Sequence, residues 1–227
     1  MLILKFGGKV LLDLDKVSLF IQNLLISQKK LIVVVSAIGR FPFPYATDTF
    51  INESINLSKD EKNRLISMGE NISSLLVSNH LNGMNINAYA PSVNELKLCY
   101  NDQLKIGKKI KKLIKNYDVL VVPGFIALKK NKLTLLPRGG SNITACFIAL
   151  YFNIDLIIIT DVDGIYSKDP NVSNSIKYRL ISCDQLFELT KDNQSFFPKL
   201  AINYIKKGNF KVLVRNIDNE NGTYITK

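Results

Sequence analysis

Short apolar runs rich in β-branched residues or leucine recur along the chain: LILKF (residues 2–6), LIVVVSAI (31–38), INAYA (86–90), VLVVPGF (119–125), LTLL (133–136), LIIIT (156–160) and FKVLVR (210–215). Runs of this length with little polar alternation predict strands buried on both faces, the pattern of a largely parallel sheet. Amphipathic stretches of helical length separate several of them. Strand alternating with helix predicts an α/β architecture with helices on both faces of the sheet.

The clearest helix start is Ser58-Lys59-Asp60-Glu61, a capping-box pattern. Leu65, Ile66, Ile72, Leu75, Leu76 and Leu81 then offer an apolar face, and Gly83 fits the stop. In KKIKKLIKN (108–116), Ile110, Leu113 and Ile114 share one helical face and lysines cover the rest, which reads as a solvated surface helix. RFPFPYATD (40–48) carries Pro42 and Pro44 and cannot be regular helix or central strand. It follows a strand, where proteins with buried parallel strands place their chemistry.

Composition changes this picture little. A chain of 227 residues, 47% hydrophobic, can bury a substantial core. No repeat or low-complexity linker divides it, so one domain over residues 1–227 is expected. The net charge of +11 favours acidic partners such as nucleotides, yet charge speaks to association, not fold. Lysine, asparagine and isoleucine are abundant together, so compositional bias accounts for the charge and nucleic acid is not expected as a partner. Cys99, Cys146 and Cys183 match no zinc or CxxC spacing and read as buried free thiols in a reducing compartment. The N-terminus lacks a signal-peptide pattern and no apolar run approaches ~18 residues, so a cytoplasmic protein with no membrane span is expected.

Candidate chemistry gathers where strands end. Lys5 closes the first run and Gly7-Gly8 follow; glycines let phosphate oxygens reach backbone amides, and lysine adds a point charge. A structural turn explains the double glycine equally well. Ser36 ends the second run as a possible donor to a substrate oxygen. Glu70 sits among apolar helix residues, where a carboxylate needs a partner such as an ammonium group, unless it simply faces solvent. PRGGSN (137–142) opens a second apolar helix with small residues suited to an anion. In TDVDGIYSKDP (160–170), Asp161 and Asp163 end a buried strand, where acidic groups suit a nucleobase, ribose or magnesium ion; ordinary loop aspartates are the plainer alternative.

Taken in order, KFGG, VVVSAIGR with PYATDT, MGENISS, VPGF, RGGS before a helix, and TDVDGIYSKDP resemble aspartate kinases of the amino acid kinase superfamily, from Leu2 to about Ile225. The resemblance implies a three-layer αβα sandwich with a mainly parallel sheet of about eight strands. It implies phosphorylation of the aspartate β-carboxylate by ATP with Mg2+, the first step toward lysine, threonine and methionine, and a homodimer through the kinase domain. By the same resemblance, Lys5, Gly7 and Gly8 form the phosphate-binding start. Ser36, Thr47, Glu70 and Arg138, with Gly139, Gly140 and Ser141, hold aspartate. Thr160, Asp161, Tyr166, Lys168 and Asp169 line the nucleotide site, and Lys5, Arg138 and Asn142 form the catalytic set.

The departures are specific. Lys9-Val10 stand where the family has Thr-Ser, Pro137 and Asn142 where it has Gly and Asp, Asn171 where it has Arg, and Gln194 where it has Lys. Regulatory ACT domains are not expected within this chain. Lys168 or Lys199 could supply a missing cation. Two other readings remain: a non-catalytic aspartate-kinase-like protein that binds ligand or a partner kinase, and another small-molecule kinase of the superfamily such as a uridylate kinase.

Overall fold

The computed structural model describes residues 1–191 and 197–227. Strand β1 (Leu2–Phe6) passes through a 3-10 turn (Val10–Leu12) into helix α1 (Leu14–Ser27) and strand β2 (Leu31–Val35). Helices α2 (Thr47–Glu53) and α3 (Lys59–Gly83) follow, then β3 (Ala88–Tyr89), α4 (Val93–Leu96), β4 (Cys99–Asn101), β5 (Gln103–Lys105) and α5 (Lys109–Asn116). Next come β6 (Val119–Pro123), β7 (Ile126–Lys129), β8 (Lys132–Leu135), α6 (Gly140–Phe152), β9 (Leu156–Ile159) and the short pair β10 (Ile165–Tyr166) and β11 (Lys177–Tyr178). The chain continues through β12 (Leu180–Ser182), α7 (Cys183–Lys191), α8 (Lys199–Lys207), β13 (Val212–Arg215) and β14 (Thr223–Thr226).

An eight-stranded sheet in the order β12-β14-β13-β9-β1-β2-β6-β3 forms the middle layer. Its pairings are parallel except β13 with β14. The expected α/β fold with a mainly parallel sheet is what the chain adopts. Alternate residues of each central strand feed opposite faces. Ile3, Ile32, Val34, Leu120 and Val122 pack into the core that also holds Ile143 and Ile202, while Leu4, Phe6, Val33, Val35 and Val121 enter a second core with Val17, Ile21 and Val77. Burial on both faces is why these runs carry so little polar alternation.

The chain leaves β1 toward β2 on one side and completes the sheet through β9 and β13 on the other, so β1 lies at the switch in strand order. In open α/β sheets ligands bind in the crevice beyond the strand ends at such a point. Of the predicted runs, LTLL falls outside this sheet: β8 belongs to a four-stranded sheet, β5-β4-β7-β8, paired antiparallel with β7. The loop RFPFPYATD is helical only at its end, since α2 begins at Thr47.

Helix α3 starts and stops where the sequence predicts, with the Glu61 carboxylate accepting from the Ser58 N–H at 3.0 Å. Ile66 and Leu81 of the expected apolar face are buried, but most of the buried face is small or polar. Gly69, Glu70, Ser73, Ser74, Val77 and Ser78 are buried, whereas Leu75 is 60% exposed. The helix lies so close over the loop after β2 that a side chain at Gly69 would collide with Ala37 and the Tyr45 carbonyl. Only small residues fit that approach, and Leu75 turns to solvent while Leu76 packs at the edge of the core. The α5 reading holds, with Ile110 and Leu113 buried beneath a lysine-covered face. Cys146 and Cys183 are buried free thiols as expected, but Cys99 is half-buried. No helix among the described residues is long and apolar enough to cross a membrane.

Candidate active site

The strand alternation that buries Ile3 also sends Lys5 to the α6 side of the sheet, where it is 8% exposed. Burial lowers its ammonium pKa to about 8, and the positive charge of Arg40 pushes the same way; Cys146, Asp161 and Glu70 oppose the shift. Beyond Lys5 the chain turns through Gly7 and Gly8. The Gly7 N–H donates to the Ile159 carbonyl of β9 at 2.9 Å, and the Gly39 N–H donates to the Gly8 carbonyl at 2.8 Å. A Cβ on Gly8 would strike the Ala37 and Gly39 carbonyl oxygens, so only glycine lets the loops after β1 and β2 meet this closely.

Glu70 reaches the same crevice from α3 and is only 2% exposed, so it is not the solvent-facing helix glutamate that spacing also allowed. Its Oε1 accepts from the Ala37 N–H at 3.3 Å and lies 3.4 Å from the Thr47 hydroxyl, while its buried Oε2 has no hydrogen-bond partner. Burial raises its pKa to about 8, against the pull of the backbone donors, Thr47 and Lys5. Ser36 lies on the loop between these groups, its N–H donating to the Phe6 carbonyl at 3.2 Å. Ser73 secures the same loop by accepting from Ile38 N–H at 3.0 Å.

The start of α6 is anchored to the same end of the sheet. Gly139 holds φ at +78°, a left-handed turn that glycine adopts without penalty, and the helix begins at Gly140. Ser141 packs against Gly124, whose N–H donates to the Val35 carbonyl at 2.9 Å, so the helix start is anchored to the end of β2. Asn142 is buried in the first turn, its backbone N–H donating to the Gly139 carbonyl at 2.9 Å. Arg138 is exposed just before the helix. Amides at such a helix start favour negative charge.

A third group ends β9. The Thr160 hydroxyl donates to Asp161 at 3.0 Å, and Lys9 forms an ion pair with Asp161 at 2.8 Å. Partial burial opposes ionisation of Asp161, but the bonds from Lys9 and Thr160 prevail and hold its carboxyl below the usual range. Tyr166 and Lys177 both donate to Asp163, at 2.6 and 2.7 Å, which fixes the short β10–β11 hairpin. Lys177 and then Tyr166 depress the Asp163 pKa.

Hydrogen bonds and close approaches thus link the Gly7-Gly8 turn to the loop after β2, that loop and Thr47 to Glu70, and the start of α6 to the end of β2 through Gly124, while Lys9 joins the glycine turn to Asp161 and Thr160. Lys168 and Asp169 lie farther out on an exposed loop, where Asp169 accepts from the Asn171 backbone and side chain at 2.9 and 3.0 Å. Lys199 places its ammonium over the Phe187 ring, 5.0 Å from the centroid. Gln194 lies outside the described residues. Sequence reasoning did not single out Lys9, which pairs with Asp161, or Arg40, whose charge acts on Lys5. The signal for Lys9 was a cation directly after the double glycine; its partner, 152 positions away, gave none. Among the described residues no three His, Cys, Asp or Glu come together as a metal cluster. Magnesium fits here chiefly as a companion of nucleotide phosphates, with Asp161 the nearby carboxylate; such an ion would neutralise phosphate charge.

Residues 1–216 match the amino acid kinase family model. The chain belongs to this family. It is 29% identical over 240 residues to Aspartokinase 1 of Bacillus subtilis, covering 98% of this chain and 59% of that one. Aspartokinase of Helicobacter pylori is 28% identical over 243 residues, covering 99% and 59%. The chain therefore spans 59% of the length of these curated relatives. Among solved structures, aspartate kinase from Synechocystis superposes with a TM-score of 0.85 at 25% identity, over 100% of this chain and 40% of that one. Escherichia coli aspartokinase III in complex with aspartate and ADP gives 0.80 at 19% identity, over 99% and 64%. A uridylate kinase from Archaeoglobus fulgidus gives 0.70 at 21% identity over 100% of both chains, so the amino acid kinase fold by itself does not select the acceptor.

Proposed function

We propose that this chain transfers the γ-phosphoryl group of ATP to the β-carboxylate of aspartate. A carboxylate oxygen attacks the phosphorus as the bond to ADP breaks. Such transfer asks the protein mainly for positioning and for cations against the developing charge. Lys5 and the Gly7-Gly8 loop meet the phosphates, and Arg138 pairs with a substrate carboxylate in the planar geometry that guanidinium offers.

The observation that carries this reading is the unpartnered Oε2 of buried Glu70. A buried acceptor without a partner calls for an explanation. An amino acid's ammonium group satisfies it; a uridylate acceptor, which has no ammonium, does not. The similarity to aspartokinases over nearly the whole chain supports the same acceptor. A panel of aspartate, glutamate and UMP in an ATP-coupled assay tests the choice: ADP release with aspartate alone is expected, and release with UMP alone would overturn it.

A second reading, ligand binding without turnover, draws on Asn142 and Asn171. Asn171 is folded onto Asp169 and brings no positive charge. The two readings part on Asn142→Asp. An assembled site limited by this residue should gain about tenfold or more in kcat, since single electrostatic contacts are worth about 10²–10³ in rate. No turnover by wild type or by Asn142→Asp, with aspartate and ATP both bound, favours the non-catalytic reading.

A further inference from the structure

We propose that Lys9 is a nucleotide-phosphate ligand, held by Asp161 in the free protein and transferring its ammonium to the polyphosphate when nucleotide binds. The proposal rests on the phosphotransferase reading and deepens it. Lys9 follows Gly7-Gly8 directly and its ammonium lies 2.8 Å from Asp161 Oδ2. It stands between two openings. On one side is a cavity of about 550 Å³ bordered by Lys9, Leu12, Arg40 and the 42–44 loop. On the other is one of about 210 Å³ bordered by Lys9, Thr160, Asp161 and Asn216. A side chain lining both is positioned to meet a ligand entering from either.

The Lys9–Asp161 pair is open to water, with side chains 54% and 44% exposed. Ion pairs this exposed are weak. A polyphosphate carries several negative charges and competes well against one carboxylate, and lysine's four-carbon stem lets its charge swing without backbone movement. The surroundings favour the exchange. Arg40 borders the cavity with Lys9 and its charge already disfavours the Lys5 ammonium. Lys5 and Arg40 thus place two like charges near the glycine turn, which a polyanion relieves. Lys168 is exposed on the outer loop and Lys199 lies over Phe187, whereas Lys9 directly follows the glycine turn.

Calorimetric titration with ATP and adenosine, on wild type, Lys9→Met and Lys9→Arg, tests this. Hydrogen bonds to charged groups predict that Lys9→Met weakens ATP binding about 10- to 100-fold. Adenosine affinity should hold, Lys9→Arg should retain most ATP affinity, and the salt dependence of ATP binding should flatten in Lys9→Met. Wild-type ATP affinity in Lys9→Met would overturn this proposal alone. Equal losses for ATP and adenosine would also overturn it, since the residue would then serve the fold. No ATP binding by wild type would overturn both the proposal and the reading beneath it.

Discussion

Glu70→Gln is expected to stabilise the protein at pH 7 and to disable aspartate use. Burial raises the Glu70 pKa from 4.5 to about 8, so the folded state prefers the protonated carboxyl. Below pH 4.5 the group is neutral in folded and unfolded chains alike, and its contribution is fully present. As pH rises toward 8 the unfolded chain ionises first, and stability falls by about 1.4 kcal/mol per unit. At pH 7 the accumulated loss is about 3 kcal/mol by this linkage. Glutamine does not ionise, and its amide oxygen can keep the Ala37 and Thr47 contacts. Denaturant unfolding at several pH values should therefore show wild type losing stability between pH 4.5 and 8 and Glu70→Gln nearly level. Parallel profiles would rule out a neutral buried Glu70. Under the proposed function the aspartate ammonium supplies the missing charge, so aspartate binding near neutral pH should release a proton. Heats of binding that depend on buffer ionisation in wild type, and not in Glu70→Gln, are the expected signature.

Lys5→Met should lower kcat by about 10²–10³, the typical effect of removing one positioned charge from a transition state. Methionine matches the length of the lysine stem and leaves the α6 packing in place. The stability effect has the opposite sign. The Lys5 pKa is depressed by burial and by Arg40, so its charge opposes folding fully below pH 8, and the penalty disappears as pH rises toward 10.5. A variant more stable than wild type at pH 7 and nearly inactive would place Lys5 in function, not support of the fold. A variant that loses both activity and stability would assign it a structural task instead.

The central strands were legible because burial on both faces leaves an unbroken apolar run, as in β1, β2, β6, β9 and β13. The antiparallel sheet was not: β4, β5 and β7 are short or mixed in polarity, and LTLL carries no mark of which sheet it joins. The glycine turns were visible as motifs, since close approach of two loops demands residues without side chains. The buried setting of Glu70 was hidden, because serines and Gly69 line that face of α3 where leucines were expected. Lys9 and Asp161 meet only because β1 and β9 are neighbours, a pairing that no local pattern encodes.

Formation of an acyl phosphate is the step that decides between phosphoryl transfer and ligand binding alone. Hydroxylamine trapping of wild-type reactions with aspartate, ATP and magnesium should yield aspartyl hydroxamate at about 100-fold or more above the Lys5→Met background, in line with one lost transition-state charge. Wild type at that background, with aspartate and ATP both bound by calorimetry, would contradict the proposed phosphoryl transfer.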